Sequence, residues 1–468
     1  MNAHTAPPCI RPPGLKIAGL KIAGLKIAVV GTGISGMSAA WLLAQRHDVT
    51  VFEQDGRIGG HSNTRMVDTK DGPIAVDTGF IVYNEKTYPN LTALFAHLGV
   101  VTQPSDMSFS ASLHQGAIEY SGESFTSLFA QRSNLLRPRF WSMLYDLQRF
   151  YRQATRDSRR HLLADLSLGE YLDRGAYGAA FRDDHLLPLA AAIWSAPASR
   201  ILDYPAASFI RFQENHGLLN IFKRPIWRTV TGGSRAYVEK LTYGYANRIR
   251  RNAAAVKILR TPDGVEIIDN SGHRERFDHV VLATHADQAL RLIAAPTVPE
   301  RELLSAFRYS RNIAYLHRDP SLMPRRRTVW ASWNYLDLRS DDEADCLTVT
   351  YWMNKLQDID PAHPLFVTLN PTRPPEADKQ ISQELYEHPT FDAGAIAAQS
   401  KLWSLQGQGN VWFCGAYMGA GFHEDGLQAG LAVAEALGGV RRPWRVADES
   451  GRISLPAHWN AETAEMAA

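Results

Sequence analysis

Three glycines in a short segment have the spacing that a phosphate-binding turn needs. They belong to Gly31-Thr32-Gly33-Ile34-Ser35-Gly36, which follows the apolar stretch Lys26–Val30 and precedes a helical pattern through Ala44. The first glycine permits a tight turn, the second lets the backbone approach a pyrophosphate, and the third lets helix and strand pack closely. Strand, turn and helix together predict a dinucleotide site, and a tight turn without a ligand is the alternative.

A carboxylate follows at the distance expected for binding a ribose. Glu53 ends the apolar run 49–52, where its oxygens can accept hydrogen bonds from ribose hydroxyls. A nicotinamide or a flavin dinucleotide would fit this opening equally well. Two further motifs favour flavin, namely Arg57-Ile58-Gly59-Gly60 and Asp77-Thr78-Gly79-Phe80.

With these motifs the chain resembles the flavin amine oxidase superfamily, which includes monoamine oxidase, protoporphyrinogen oxidase and phytoene desaturase. The loop from Thr229 to Ser234 and the return from Gly415 to Gly430 extend the resemblance. The matching segments are confined to cofactor-binding parts of the chain. Within the superfamily, the chain is most similar to a bacterial group described only as predicted NAD/FAD-binding proteins.

The resemblance implies FAD as a non-covalent cofactor, with contacts to its diphosphate, ribose, ribityl, adenine and ring. In the family pattern an arginine is common where this chain has His61, so the contact made there is open, and a loop histidine bonded to nearby backbone is the alternative. The residues implied to bind FAD are Gly31, Gly33, Ser35, Gly36, Glu53, Arg57, Gly59, Gly60, His61, Asp77, Gly79, Phe80, Val256 through its backbone, Gly415, Asp425 and Leu427.

A flavin carries the redox chemistry, so the protein needs only to position a C–H bond and exclude water. The family topology places Tyr417 and His423 near the ring, and we predict them as catalytic candidates. His423 could accept a proton or polarise a substrate group, or it could be a structural histidine; Glu424 is a weaker candidate. Cys414 ends an apolar strand, which favours inert packing over covalent attachment of FAD.

Aromatic residues are numerous in the segments assigned to substrate, and carboxylates able to hold an ammonium group are few among them. We therefore expect an apolar substrate, of fatty acyl or isoprenoid kind, that loses a hydride while the electrons pass to oxygen or a quinone. Amine oxidation, a redox-neutral isomerase and a non-catalytic flavin-binding protein are the alternatives. The aromatic residues are Trp194, Phe209, Phe212, Trp227, Trp330, Trp333, Tyr335, Tyr351 and Trp352, any of which could instead be ordinary core.

Residues 132–160 carry eight arginines against Asp146 and Asp157, interleaved with apolar side chains. Basic charge beside an apolar face can dock on anionic lipid, so we predict peripheral membrane contact here; a solvated helix face is the alternative. No apolar run reaches the length of a spanning helix. Three cysteines without paired spacing predict neither disulfides nor a metal site, and we expect a cytoplasmic protein.

We predict an α/β fold for the chain. It would consist of a discontinuous Rossmann-type FAD-binding domain with an inserted α+β substrate domain of helices and a mixed sheet. The net charge of +2 over 468 residues favours no nucleic-acid partner. GLKIA occurs three times, from Gly14, Gly19 and Gly24, and only the last copy adjoins a strand, so residues 1–23 with the first two copies are predicted as a flexible extension. We assign 24–100, 225–300 and 405–440 to the FAD domain, 101–224 and 301–404 to the substrate domain, and 441–468 to a tail.

Overall fold

The protein is described here from a computed structural model. The GLKIA copies before residue 24 and the end of the tail lie outside the described residues. The structure describes residues 24–160, 162–163, 166–194, 201–219, 225–337 and 348–456.

The chain mixes strands and helices, with runs of several strands or of several helices in succession. The strands are β1 Lys26–Val30, β2 Asp48–Phe52, β3 Thr64–Val67, β4 Ile74–Asp77, β5 Tyr83–Asn84, β6 Thr102–Ser105, β7 Phe109–Leu113, β8 Ile118–Ser121, β9 Trp227–Val230, β10 Ile249–Arg250, β11 Ala255–Thr261, β12 Gly264–Asp269, β13 Arg274–Phe277, β14 His279–Leu282, β15 Arg308–His317, β16 Trp333–Leu336, β17 Thr348–Trp352, β18 Phe366–Leu369, β19 Gln380–Thr390 and β20 Val411–Phe413. The helices are α1 Ile34–Leu43, α2 Pro89–Leu98, α3 Phe125–Leu128, α4 Pro138–Arg159, α5 Leu168–Arg174, α6 Ala179–Phe181, α7 Leu187–Trp194, α8 Ala206–Asn215, α9 Arg235–Thr242, α10 Ala286–Leu292, α11 Val298–Leu304, α12 Met353–Gln357, α13 Ala393–Gln399 and α14 His423–Gly438.

A parallel sheet of order β10-β2-β1-β14-β20 forms the centre of the first core. After a polar first residue its inner strands are mainly apolar, which is typical of strands covered on both faces. Ile27 and Val29 of β1 and Val281 of β14 are completely buried. Because the strands are parallel, their carboxyl ends meet at one edge, where a ligand binds in such sheets.

Helices α1 and α14 pack closely beside this sheet. At Gly430 an added Cβ would overlap the Ser35 carbonyl oxygen, so α14 approaches α1 more closely than any other residue type allows. Both helices begin at the same edge of the sheet, after β1 and β20 respectively. Their amino termini are thereby brought beside the carboxyl ends of the strands, where backbone N–H groups favour an anion.

A mixed sheet of order β19-β15-β18-β17-β16-β7-β8 forms the second core with helices α4 to α8. Its neighbours are antiparallel except β16 and β7, which are parallel. The predicted mixed sheet is thus confirmed. The structure also contains a smaller sheet of order β5-β9-β6 and the two-stranded hairpin β3-β4.

The sequence predicts a helix from Pro138 to Arg156, and the observed α4 runs three residues further, to Arg159. It also predicts a helix opened by Pro89 and ended by Gly99, and the φ of 62° at Gly99 is the left-handed conformation that terminates helices. A third helix is predicted to start at Asp425, and the observed α14 starts two residues earlier, at His423. No helix in the described ranges is long and apolar enough to cross a membrane.

Candidate active site

The glycine turn between β1 and α1 has the geometry that its sequence predicts. Gly31 has a φ of 102°, which favours glycine, and its N–H donates to the Phe52 carbonyl at 2.8 Å. An added Cβ at Gly36 would overlap the Gly31 carbonyl oxygen, so helix and turn are in contact there. At Gly33 an added Cβ meets no atom within 4 Å. The turn therefore leaves open space directly before the amino terminus of α1, where Ser35 is buried.

Glu53 lies at the end of β2 and is bound to this turn. Its Oε2 accepts a hydrogen bond from the Thr32 N–H at 3.0 Å and another from the Thr32 hydroxyl, while Oε1 accepts from the Asp55 N–H at 3.0 Å. The Glu53 carbonyl accepts from Ala253 N–H at 2.8 Å, three residues before Val256. Val256 lies at the irregular start of β11 with half of its surface exposed. The hydrogen bond from Ala253 brings the backbone before Val256 close to Glu53, and these are the two residues predicted to bind the adenosine.

The Arg57 to Gly60 loop lies over the glycine turn. The Gly59 N–H donates to the Thr32 carbonyl at 3.1 Å, and Arg57 Nη1 donates to the Gly60 carbonyl at 2.7 Å. An added Cβ at Gly60 would lie 3.0 Å from the Gly33 Cα. Both loops therefore face the same space with bare backbone.

Asp77 joins the hairpin to the Thr-Gly-Gly loop. Its carboxylate accepts from the Ser234 N–H at 2.9 Å, the Ser234 hydroxyl at 2.7 Å and the Thr64 hydroxyl at 2.6 Å. Burial raises the pKa of Asp77 to about 6 in spite of these hydrogen bonds. Asp77 thus joins the end of β4 to the loop from Thr229 to Ser234, and both segments carry motifs of the family resemblance.

Gly79 and Phe80 pack directly on His61. An added Cβ at Gly79 would overlap the His61 carbonyl oxygen, which accepts from the Phe80 N–H at 2.7 Å. The His61 ring lies 5.0 Å from Tyr386, and its buried Nε2 has no hydrogen-bond partner among the described residues. Burial, reinforced by the positive charge that nearby His388 can carry, lowers the pKa of His61, so this ring is neutral at pH 7.

His423, the first residue of α14, stacks on Phe80 with ring centroids 3.8 Å apart and planes 10° from parallel. Its Nε2 lies 2.7 Å from the Tyr237 hydroxyl, which in turn contacts the Ser62 hydroxyl. Burial lowers the pKa of His423 to about 3. The structure therefore holds a neutral imidazole in one orientation, through two hydroxyl groups that sequence reasoning did not select.

The carboxyl groups after His423 are occupied by protein partners. Asp425 accepts from Arg452 Nε at 2.6 Å and from the Phe422 N–H at 2.7 Å. Glu424 accepts from the Asn90 and Leu91 N–H groups, each at 3.0 Å. Both oxygens of the Asp425 carboxylate, which the resemblance implies to bind FAD, thus have protein partners in this structure.

Tyr417 and Cys414 lie inside the first core. The Tyr417 ring is 5.2 Å from that of Phe307 and 2% exposed, and its hydroxyl has no hydrogen-bond partner within the described part of the chain. Burial raises the pKa of the Cys414 thiol. Gly415 is extended, with φ 170°, and its added Cβ would meet the Tyr417 ring at 2.5 Å. Leu427 is completely buried in α14.

These residues fit a flavin dinucleotide. Glycines at 33 and 60 leave a bare backbone surface beside a helix amino terminus, which suits a diphosphate, and the orphaned Nε2 of His61 marks a buried polar atom without a protein partner. Phe80 and His423 supply a stacked pair at the other end of this surface. Among the described residues, no group of three or more His, Cys, Asp or Glu side chains could hold a metal ion.

Comparison with known proteins agrees with this geometry. The profile of the flavin containing amine oxidoreductase family matches residues 34–317. A Mycobacterium tuberculosis protein named as a flavin-containing monoamine oxidase, AofH, is 26% identical over 59% of this chain and 61% of its own length, so the chain spans less than two thirds of that relative.

Two solved structures share the fold at low sequence identity. Putrescine oxidase bound to putrescine superimposes with a TM-score of 0.64 at 14% identity, covering 88% of this chain and 99% of that one. A fatty acid isomerase from P. acnes gives a TM-score of 0.62 at 17% identity, covering 88% of this chain and 98% of that one. Because the family profile matches more than half of the chain, the protein belongs to the flavin-containing amine oxidoreductase family.

Proposed function

We propose that the protein binds FAD non-covalently and takes a hydride from a C–H bond of an uncharged, mainly apolar substrate of fatty acyl or isoprenoid kind. The observation that carries the substrate class is the engagement of Glu424 and Asp425 by Asn90, Leu91 and Arg452. A free carboxylate here would favour an ammonium substrate, although aromatic faces alone can also bind a cation. Beside His423 the described residues offer aromatic rings and neutral histidines instead.

The non-covalent binding of FAD is supported by the state of Cys414. Its thiol is completely buried and its pKa is raised, so the nucleophilic thiolate is disfavoured. FAD, when bound, supplies the two-electron acceptor for the hydride. The chain's own residues then bind the diphosphate with backbone N–H groups at 31–36, bind the ribose with Glu53, and exclude water with the Phe80 and His423 rings.

His423 is suited to positioning, because an imidazole with a pKa of about 3 is a weak proton acceptor at neutral pH. Its low pKa keeps the imidazole neutral, and the Tyr237 hydroxyl fixes the ring through Nε2. Since flavin chemistry can proceed without a protein base, the orientation of the ring against Phe80 is the role that the geometry supports most directly.

The experiment that tests this proposal has two parts. Acid precipitation of the purified protein should release yellow FAD into the supernatant, whereas colour retained in the pellet would show covalent attachment. Anaerobic loss of the flavin absorbance should follow addition of fatty acyl or isoprenoid substrates but not of matched primary amines. Reduction by amines alone would establish amine oxidation and overturn the substrate class.

A redox-neutral isomerase is the second candidate, favoured by the fold likeness to the fatty acid isomerase and by the absence of a free acidic group beside His423 among the described residues. The two proposals differ in their products. An isomerase would convert an unsaturated fatty acid with no net consumption of electron acceptor. Product analysis with and without oxygen therefore separates them.

We also propose that residues 125–159 dock on anionic lipid. Phe125 and Leu136 are 77% and 87% exposed, and Tyr145 of α4 is 69% exposed. The rings of Phe129 and Trp141, 5.6 Å apart, connect α3 to α4. We call this set the apolar tip; its members are Phe125, Phe129, Leu135, Leu136, Trp141 and Tyr145.

Exposed arginines continue the same face of α4. Arg152 and Arg156 follow Tyr145 at helical spacing, and neither pairs with a carboxylate among the residues described. Arg149 is different, because it binds Asp146 and the Gly175 carbonyl. An apolar tip beside free cations fits the boundary between acyl chains and anionic headgroups, which is where an enzyme acting on lipid would collect its substrate.

A further inference from the structure

A group of buried polar atoms that have no partner among the described residues lies beside the proposed reaction site. Gln213 of α8 is 1% exposed, yet neither its Nε2 nor its Oε1 has a hydrogen-bond partner in the described structure. His216, three residues later, is 4% exposed, and its Nε2 is also without one. Leaving a buried polar group unpaired is destabilising, so a cluster of such groups needs an explanation.

The location of this cluster connects it to the flavin site. The His216 ring stacks on Phe212 at 3.9 Å and lies 5.6 Å from Phe422, the residue before His423. On its other side it lies 5.9 Å from Trp227 of β9. Strand β9 pairs Trp227 with Asn84 of β5, and Asn84 is completely buried with no partner for its Nδ2 among the described residues.

The hydrogen-bonding character of each atom follows from its other contacts. His216 Nδ1 lies 2.9 Å from the Phe212 carbonyl oxygen, which can only accept, so Nδ1 carries the hydrogen. Burial, with Arg452 reinforcing it, lowers the pKa of His216 to about 3, so the ring is neutral and Nε2 is an acceptor. Asn84 Oδ1 accepts from the Thr87 N–H and hydroxyl, so its Nδ2 remains as a donor. The Gln213 amide supplies a donor group at Nε2 and an acceptor at Oε1.

We propose that Gln213 and His216, with Asn84, bind an uncharged hydroxyl group on an otherwise apolar substrate. A hydroxyl is both donor and acceptor: it can donate to His216 Nε2 and accept from the Gln213 amide. A carboxylate has no hydrogen to donate to the imidazole, and an ammonium would face no free negative charge here, since Arg452 already occupies Asp425. The rings of Phe212, Trp227 and Phe422 supply the apolar surroundings. The inference rests on the proposed function for the reacting flavin, and it deepens the substrate class.

The first test is a stability comparison that needs no ligand. If the Gln213 amide serves a ligand, Gln213→Leu removes two unpaired polar atoms and leaves the melting temperature of the ligand-free holoenzyme unchanged or raises it. Gln428 is the matched control, being completely buried with Nε2 bound to Glu424 at 3.0 Å and Oε1 accepting from the Arg452 N–H at 3.0 Å. Gln428→Leu should lower the melting temperature by several degrees. An equal loss in Gln213→Leu would overturn the proposal.

The second test measures binding by calorimetry with 1-decanol, methyl decyl ether, decanoate and decylammonium. The alcohol should bind about tenfold or more tightly than the ether, as one well-made hydrogen bond is worth, and Gln213→Leu and His216→Phe should each remove that preference. Absence of alcohol binding, or equal affinity for alcohol and ether, overturns the proposal. A protein that holds no flavin but keeps the alcohol preference would overturn the proposed function alone.

Discussion

At the residue scale, two glycines of one turn should respond differently to the same substitution. At Gly33 an added methyl group meets no atom within 4 Å and φ is −64°, so Gly33→Ala should fold normally. That methyl would stand in the space assigned to the diphosphate, so bound FAD should fall. Gly36→Ala instead drives Cβ into the Gly31 carbonyl and should lower stability even without cofactor. FAD content and apoprotein melting temperature separate the two; full FAD content in Gly33→Ala would contradict the site.

Buried neutral histidines should make the protein sensitive to mild acid. Burial lowers the pKa of His423 to about 3 and that of His388 to about 4, whereas both take up a proton near 6.5 when unfolded. Between these values the unfolded state binds more protons, so stability falls as the pH is lowered below 6.5. Each such histidine contributes a slope of about 1.4 kcal/mol per pH unit.

Urea unfolding at a series of pH values measures this slope. His423→Phe should reduce this slope by the contribution of one proton, about 1.4 kcal/mol per pH unit, whatever the effect of the substitution on stability at pH 7. Asp77 acts in the opposite direction, because its pKa is raised to about 6, and its ionisation costs stability as the pH rises from 3.8. The comparison between wild type and variant cancels that term. An unchanged slope would show that His423 is protonated in the folded protein.

At the element scale, α14 depends on a segment that the sequence suggested was a tail. Arg452 binds Asp425 at 2.6 Å through Nε and the Thr87 carbonyl at 2.8 Å through Nη1, so residues 441–456 join α14 to the start of α2. Arg452→Met should destabilise the protein by about 3–5 kcal/mol, because it leaves a buried carboxylate unpaired. Adding Asp425→Leu should recover a large part of that loss.

Surface pairs provide the control for this prediction. Arg291 pairs with Asp287 one turn away on α10, but its side chain is 66% exposed. Arg291→Met should change the free energy of unfolding by about 1 kcal/mol or less. Urea unfolding midpoints of the three variants give the comparison. Similar losses of unfolding free energy in Arg452→Met and Arg291→Met would show that the Arg452–Asp425 pair does not stabilise α14.

The sequence predicted the elements well where the signal was local. The apolar run of β1, the glycine turn, and the ends of α2 and α4 at Gly99 and Pro138 all follow from short-range rules of backbone conformation and burial. Motif resemblance added Glu53 and Phe80 as predicted cofactor-binding residues, and the structure places them after β2 and β4 respectively. Boundaries differed by a few residues because caps and tertiary contacts set them.

What the sequence could not show are contacts between distant positions. Tyr237 orients His423 across 186 residues, and Ser234 binds Asp77 across 157. No local sequence pattern around Tyr237 or Ser234 predicts which distant residue each one binds. Arg149 was grouped with the free arginines by composition alone, but its guanidinium lies 4.1 Å from the Tyr177 ring and binds backbone carbonyls. Side-chain pairing is fixed by packing, which periodicity does not encode.

At the scale of the whole molecule, the two cores meet at the place where the chemistry is proposed. The central parallel sheet supplies the glycine turn and Glu53, and the second core supplies α8 with its unpaired amide. In the proposed function a substrate would reach the flavin between these two cores. An apolar molecule reaches such a site most readily from a lipid surface, which connects the reaction to the apolar tip on α3 and α4.

Vesicle co-sedimentation tests that connection. Each free arginine near an anionic surface contributes about 1 kcal/mol, so binding should be reversible, weakened by salt, and absent with neutral vesicles. Arg152→Glu combined with Arg156→Glu should abolish binding to anionic vesicles, and Leu136→Ser should weaken it by removing an apolar side chain that is 87% exposed. Arg291→Glu is the matched control, on an exposed helix of the other core. Full binding by the double variant, or none by the wild type at low salt, would leave α4 as a solvated helix face.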